Sequence, residues 1–138
     1  MSIKHISKNG FTLIELLVVM AIIATLLSIA VPRYFHSLER SKEAILLQDL
    51  QIMRDAIDKY YADSGVYPET LDDLVSKKYL RKIPPDPITE STATWIMVPP
   101  PETDTKDSGA TDIAKDGVYD IHSGAVGNSR DGTPYSEW

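Results

Sequence analysis

From Phe11 to Val31 the chain runs for twenty-one residues with a single charge, Glu15. At ~1.5 Å per residue a helix of that length spans about 31 Å, close to the ~30 Å hydrocarbon core of a bilayer. Pro32 interrupts this run. It removes a backbone donor and crowds the carbonyl four residues back, which predicts a bend or loosened turn near 28–32. Beyond it no breaker occurs before Gly65. Leu46, Leu50, Met53, Ile57 and Tyr60 fall at steps of four and three, one face of an α-helix, and read as core residues. Arg54 with Asp58 and Asp55 with Lys59 are spaced for pairs on the polar side. Gly65 suits the position just past a helix end. The pattern predicts one long helix, Phe11 to about Ser64, bent at Pro32.

The remaining chain is punctuated more often. Thr70, with Asp73 three residues on, predicts the capped start of a short helix over 71–78. The prolines at 84, 85 and 87 force an extended, turning segment whose X–Pro bonds are open to either isomer. Residues 92–100 read as a strand ended by Pro99-Pro100-Pro101. The polar stretch 102–117 has no periodicity and reads as a surface loop. Residues 117–122 read as a second strand. A Gly-, Ser- and Asp-containing tail follows, and its terminal Trp138 is expected to tuck its ring into the core. The expected class is α+β: a long bent N-terminal helix, transmembrane in its first half, packed by its second half on a small antiparallel sheet of two or three strands.

Composition narrows the function. A net charge of −6 argues against a nucleic-acid partner, which wants a basic face. The absence of cysteine removes disulfides and the common zinc sites. Lys4 and Lys8 precede the apolar run without an acid between them, which favours a cytoplasmic N-terminus. A cleaved secretory signal fits poorly, because its apolar core runs ~7–15 residues before a small-residue site. A plain anchor leaves Glu15 unexplained, since a mid-span acid costs roughly 2.5–3.5 kcal/mol, less near an interface. His5, His36 and His122 have no local nucleophile or acid arrangement, Ser64 and Ser123 do not form G-x-S-x-G, and no phosphate-binding glycine motif occurs. No enzyme is expected.

"GFTLIE" followed by the apolar run, with Pro32, resembles the N-terminal signal of type IV pilins and type II secretion pseudopilins. The likeness continues through Asp63-x-Gly65-x-Tyr67-Pro68, Leu80-x-x-Ile83-Pro84-x-Asp86-Pro87 and Tyr119-Asp120-Ile121-x-Ser123, and is greatest to the G-type major pseudopilin. It weakens between Ser91 and Asp116, and the tail departs from the family's usual loop. The resemblance implies a leader (1–10) that a prepilin peptidase removes between Gly10 and Phe11, with N-methylation of Phe11. It implies a membrane and filament-core helix (11–31), a periplasmic half-helix (32–64) and a small periplasmic domain (65–138). Glu15 would then meet an α-ammonium on Phe11, with a reference pKa of about 7.7–8.0. That ammonium belongs either to the same chain, at i,i+4, or to a neighbour.

The implied protein is an inner-membrane, single-pass subunit that polymerises with itself into a periplasmic filament driving protein export. It would leave membrane lipid to do so, and work with minor pseudopilins and an assembly platform powered by a cytoplasmic ATPase. Arg33, Glu39, Arg40, Arg54, Asp58, Arg81 and Lys82 are candidate charge partners between subunits. The resemblance further implies Ca²⁺ in the C-terminal loop, with oxygens from Ser123, Asp131, Asp120 and Asn128, and Glu137 close by; no EF-hand spacing is present. A type IV pilus subunit and a membrane-anchored periplasmic binding or enzymatic domain are the alternatives.

Overall fold

The computed structural model describes residues 9–101 and 117–138. Residues 1–8 of the expected leader and residues 102–116 of the expected surface loop lie outside the described residues. The elements are α1 (Leu13–Ser64), α2 (Leu71–Ser76), β1 (Ile96–Val98), β2 (Asp120–His122) and a 3-10 turn (Tyr135–Glu137). The chain divides into two compact units, Met1–Leu38 and Glu39–Trp138.

In the first unit α1 begins at Leu13, two residues later than the apolar run suggests, because Thr12 closes its N-terminus. Every residue from Leu13 to Leu38 is exposed in the isolated chain. By length and composition α1 can cross a membrane. Helical conformation continues through Pro32, so the loosened turn expected there does not interrupt the element. Upstream, the Thr25 and Ser28 hydroxyls donate to the carbonyls of Ala21 and Ala24, at 2.8 Å each. That keeps both hydroxyls satisfied without water.

In the second unit the predicted stripe is the core. Leu46, Leu50, Met53, Ile57 and Tyr60 are all buried, joined by Ala56. Leu71 and Leu74 of α2, then Leu80, Trp95, Val118 and Ile121, close over them. Each buried Leu, Ile or Met contributes about 1.5–3 kcal/mol relative to exposure. α1 ends as expected: Gly65 takes φ +75° and its N–H bonds the Tyr61 carbonyl at 2.8 Å. α2 starts as expected, with Asp73 Oδ2 accepting the Thr70 N–H at 2.9 Å. It stops at Ser76, earlier than predicted, because Lys78 reverses the chain at φ 67°. The amides of Tyr79 and Leu80 then both return to the Leu74 carbonyl. Among the described residues no peptide bond is cis.

The sheet has two antiparallel strands, pairing Ile96 with His122, Met97 with Ile121 and Val98 with Asp120. Both strands are shorter than the sequence suggests, for local reasons. Before β1, the Asp86 N–H bonds the Ser91 carbonyl, the Thr89 and Thr94 hydroxyls meet at 2.6 Å, and Trp95 Nε1 donates to the Pro84 carbonyl. These contacts hold the residues before Ile96 in a turn. Before β2, the Val118 N–H goes to the Pro68 carbonyl instead of the ladder. Trp138 is half-buried against the core rather than enclosed, with its ring edge-on to Tyr135.

Arg54 departs from the sequence reading. It turns away from Asp58 and grips β2: Nε donates to Asp120 Oδ1 at 2.7 Å and a terminal nitrogen to the Ile121 carbonyl at 2.9 Å. Burial acts to raise the Asp120 pKa. The Arg54 hydrogen bond, the Ile121 N–H and the charges of Arg54 and His122 outweigh it, and hold the carboxyl below its ordinary value.

Two outcomes follow. A Cβ on Gly124 would overlap the Thr94 carbonyl oxygen, a backbone atom with little room to yield. Gly124→Ala should destabilise the second unit by about 2–3 kcal/mol in a denaturant titration. Arg54→Ala should cost about 1–2 kcal/mol near pH 7, an ion pair this exposed being partly screened. Because the folded Asp120 pKa is depressed, the stability it contributes is complete above the unfolded value of about 3.9 and fades as pH falls below it. Melting curves across that acid window should therefore be flatter for Arg54→Ala than for the parent.

Candidate assembly and processing site

The N-terminal site is built around the start of α1. Asn9 to Thr12 are non-helical, and Phe11 is 87% exposed. Thr12 is the cap: its hydroxyl accepts the Glu15 N–H at 3.2 Å, and its carbonyl accepts the Leu16 N–H at 3.2 Å, opening the helical ladder. The carbonyls of Gly10 and Phe11 therefore lie upstream of that ladder. Glu15 is the acid of the first turn, exposed, at the positive end of the helix dipole. Hydrolysis before Phe11 would place an ammonium four residues from this carboxylate.

Thr12 is the residue the sequence reading passed over. The signal was present: Thr12-x-x-Glu15 has the spacing of a capping box. It lies at the edge of the apolar run, where hydropathy dominates the pattern. Pro32 lies inside α1, with its neighbours exposed.

The residues expected to supply metal oxygens have other engagements in the fold. Ser123 is fully buried and donates its hydroxyl to Asp86 Oδ2, while accepting the Ala125 N–H. Asp120 is bonded by Arg54 and by its neighbour's amide. Asn128, Asp131 and Glu137 are exposed in the tail. Among the described residues no group of three or more His, Asp or Glu side chains is gathered. Asp86 is the buried acid that sequence reasoning missed. It accepts the Ile88 and Thr89 amides and the Ser123 hydroxyl. Nearby, Asp49 has its pKa raised, first by burial and then by the Asp86 charge.

Of the candidate inter-subunit charges, Arg33, Glu39, Arg40, Asp58, Arg81 and Lys82 are exposed, and Arg54 is committed to Asp120. Glu39 borders a polar groove with Lys42, Glu43, Arg130 and Tyr135. Glu43 Oε1 there accepts the Arg130 N–H at 2.9 Å and the Tyr135 hydroxyl at 3.2 Å, tying the tail to α1.

Residues 6–31 match the family model described as the prokaryotic N-terminal methylation motif. The chain is 32% identical over 99 residues to a type II secretion system core protein G of Vibrio cholerae, covering 61% of this chain and 68% of the relative. It is 28% identical over 114 residues to the core protein G of Escherichia coli, covering 83% and 79%. A type IV major pilin protein of Neisseria gonorrhoeae is 42% identical over 64 residues, which is 45% of this chain and 29% of the pilin. No solved structure matches at comparable stringency. A methylation motif laid over the capped start of α1, and a likeness that reaches on into the globular unit, place the chain in the type II secretion system core protein G family.

Proposed function

We propose that the chain is the major structural subunit of a type II secretion pseudopilus, a periplasmic filament whose growth drives folded proteins across the outer membrane. The observation that carries this reading is the contrast along α1. Its first half is apolar and exposed on every side, while its second half carries a packed core. An apolar surface of that extent needs a second environment, lipid first and other copies of the chain afterwards.

In this reading the chain sits in the inner membrane with its N-terminus cytoplasmic and its C-terminus periplasmic. Prepilin peptidase cuts between Gly10 and Phe11, and Phe11 is methylated. The subunits then polymerise, with minor pseudopilins, a membrane platform and a cytoplasmic ATPase supplying initiation and work. Glu15 lowers the cost of bringing a neighbour's Phe11 ammonium into the apolar core, where opposite charges attract strongly once they meet. The role is mechanical and asks for no catalytic group. A type IV pilus subunit is the second reading, favoured by the higher identity to the gonococcal pilin over its shorter match. The longer coverage by the core G proteins favours secretion.

Calcium in the tail belongs to the same proposal. Ser123, Asp131, Asp120 and Asn128 are its candidate donors; Asp131 and Asn128 are exposed, whereas Ser123 and Asp120 would have to release Asp86 and Arg54 to reach a cation, so the support is the resemblance together with the oxygen chemistry of the segment.

Deleting the gene should abolish export of specific proteins and leave surface pili intact; loss of pili with export intact would select the pilin reading. Glu15→Ala should leave the precursor in the membrane and cut, yet reduce filament recovery to a small fraction of the parent's. Unimpaired assembly would remove Glu15 from the mechanism. Calcium titration of the purified chain should raise its melting temperature, and an unchanged value rejects the metal.

A further inference from the structure

We infer that Thr12 is a positioning residue for the processing cleavage: by capping α1 it fixes the helix start two residues downstream of the Gly10–Phe11 bond. This rests on the reading that this bond is the one cut.

The chemistry to be served is an amide hydrolysis. Water adds at the Gly10 carbonyl carbon, the bond to the Phe11 nitrogen breaks, and the products are a Gly10 carboxylate and a Phe11 ammonium. An endopeptidase needs that carbonyl open to attack and the flanking chain free to lie extended in its cleft. Both conditions fail when the bond lies within a helical turn, because the carbonyl of residue i then accepts the N–H of residue i+4.

The structure meets both conditions at one residue. The first helical bond is accepted by Thr12, and the Glu15 N–H is taken by the Thr12 hydroxyl. Gly10 and Phe11 are non-helical and exposed, and a Cβ at Gly10 would meet nothing within 4 Å. Without the hydroxyl, the next residue upstream with a strong capping side chain is Asn9. A helix started there takes Gly10 and Phe11 into its first turn and engages the Gly10 carbonyl. Losing a threonine cap shifts such an equilibrium by about fivefold.

The test uses the full-length precursor in detergent micelles with prepilin peptidase, reading initial rates of leader release. Thr12→Val keeps the shape and removes the cap, and should be cut more slowly, by up to about fivefold. Thr12→Ser and Thr12→Asp keep a capping oxygen and should stay within about twofold of the parent. Backbone carbon chemical shifts at residues 10–12 should turn helical in Thr12→Val alone. The inference is overturned if Thr12→Val is cut at the parent's rate, or if Thr12→Ser and Thr12→Asp slow as much as Thr12→Val. It is also overturned if Thr12→Val is slow with its helix start unmoved, which would mark direct recognition by the peptidase. A parent chain left uncut at Gly10 defeats the processing reading itself, an outcome distinct from these three.

Discussion

The structure depends on one buried stripe, Leu46 to Tyr60, along the second half of α1. The other elements are too small to form a core between themselves: α2 spans six residues and each strand three. A two-stranded ribbon of that length has no independent stability. What holds it is the apolar surface α1 offers, reached by Ile121 from β2, Val118 just before it and Trp95 just before β1. Polar ties then fix the register. Arg54 bonds β2 from one helical turn, and Glu43 bonds the tail from another. The helix is both floor and frame.

A frame built on a helix whose other half is apolar and long enough to cross a membrane has a particular weakness. Stability cannot come from enlarging the sheet, so it comes from close contacts in the loops. Asp86 illustrates this. Its carboxylate is fully buried, no salt bridge reaches it among the described residues, and two amides and the Ser123 hydroxyl satisfy its oxygens. That acid joins the proline-rich turn to the strand-to-tail junction. Gly124 follows Ser123 at a point where Thr94 leaves no space for a side chain. The turn that carries Asp86 and the junction after β2 are therefore tightly constrained.

This explains what could be read in advance. The stripe on α1, the Gly65 stop, the Thr70–Asp73 start and the α+β class rest on short-range periodicity and capping, which a sequence displays directly. The strand lengths were overestimated because propensity does not reveal that Thr94 and Val118 spend their polar groups on Thr89 and Pro68. Arg54 was assigned to a helix neighbour because i,i+4 spacing is visible, while a partner sixty-six residues away is not. Asp86 looked like one more residue in a turn; only the fold brings Ser123 to it. At the N-terminus the reverse occurred. The Thr12-x-x-Glu15 spacing is legible in the sequence, but it sits inside a run whose dominant signal is hydropathy.

That spacing changes the account of Glu15. A carboxylate in the first turn has a favourable place even in an uncut chain, because it faces the unpaired amides and the positive end of the dipole, worth about 0.3–1 kcal/mol at an exposed site. This offsets only part of the cost of an acid near lipid, so the position is tolerable before cleavage without being comfortable. Cleavage between Gly10 and Phe11 would add a full positive charge on the same stretch of chain. The carboxylate would then have two claimants, its own helix start and an ammonium. The cap takes the Glu15 amide through the Thr12 hydroxyl, so that amide is met without the carboxylate. An acid so held is stable enough to insert and still open to a stronger partner, which is what a subunit moving from lipid into a polymer requires.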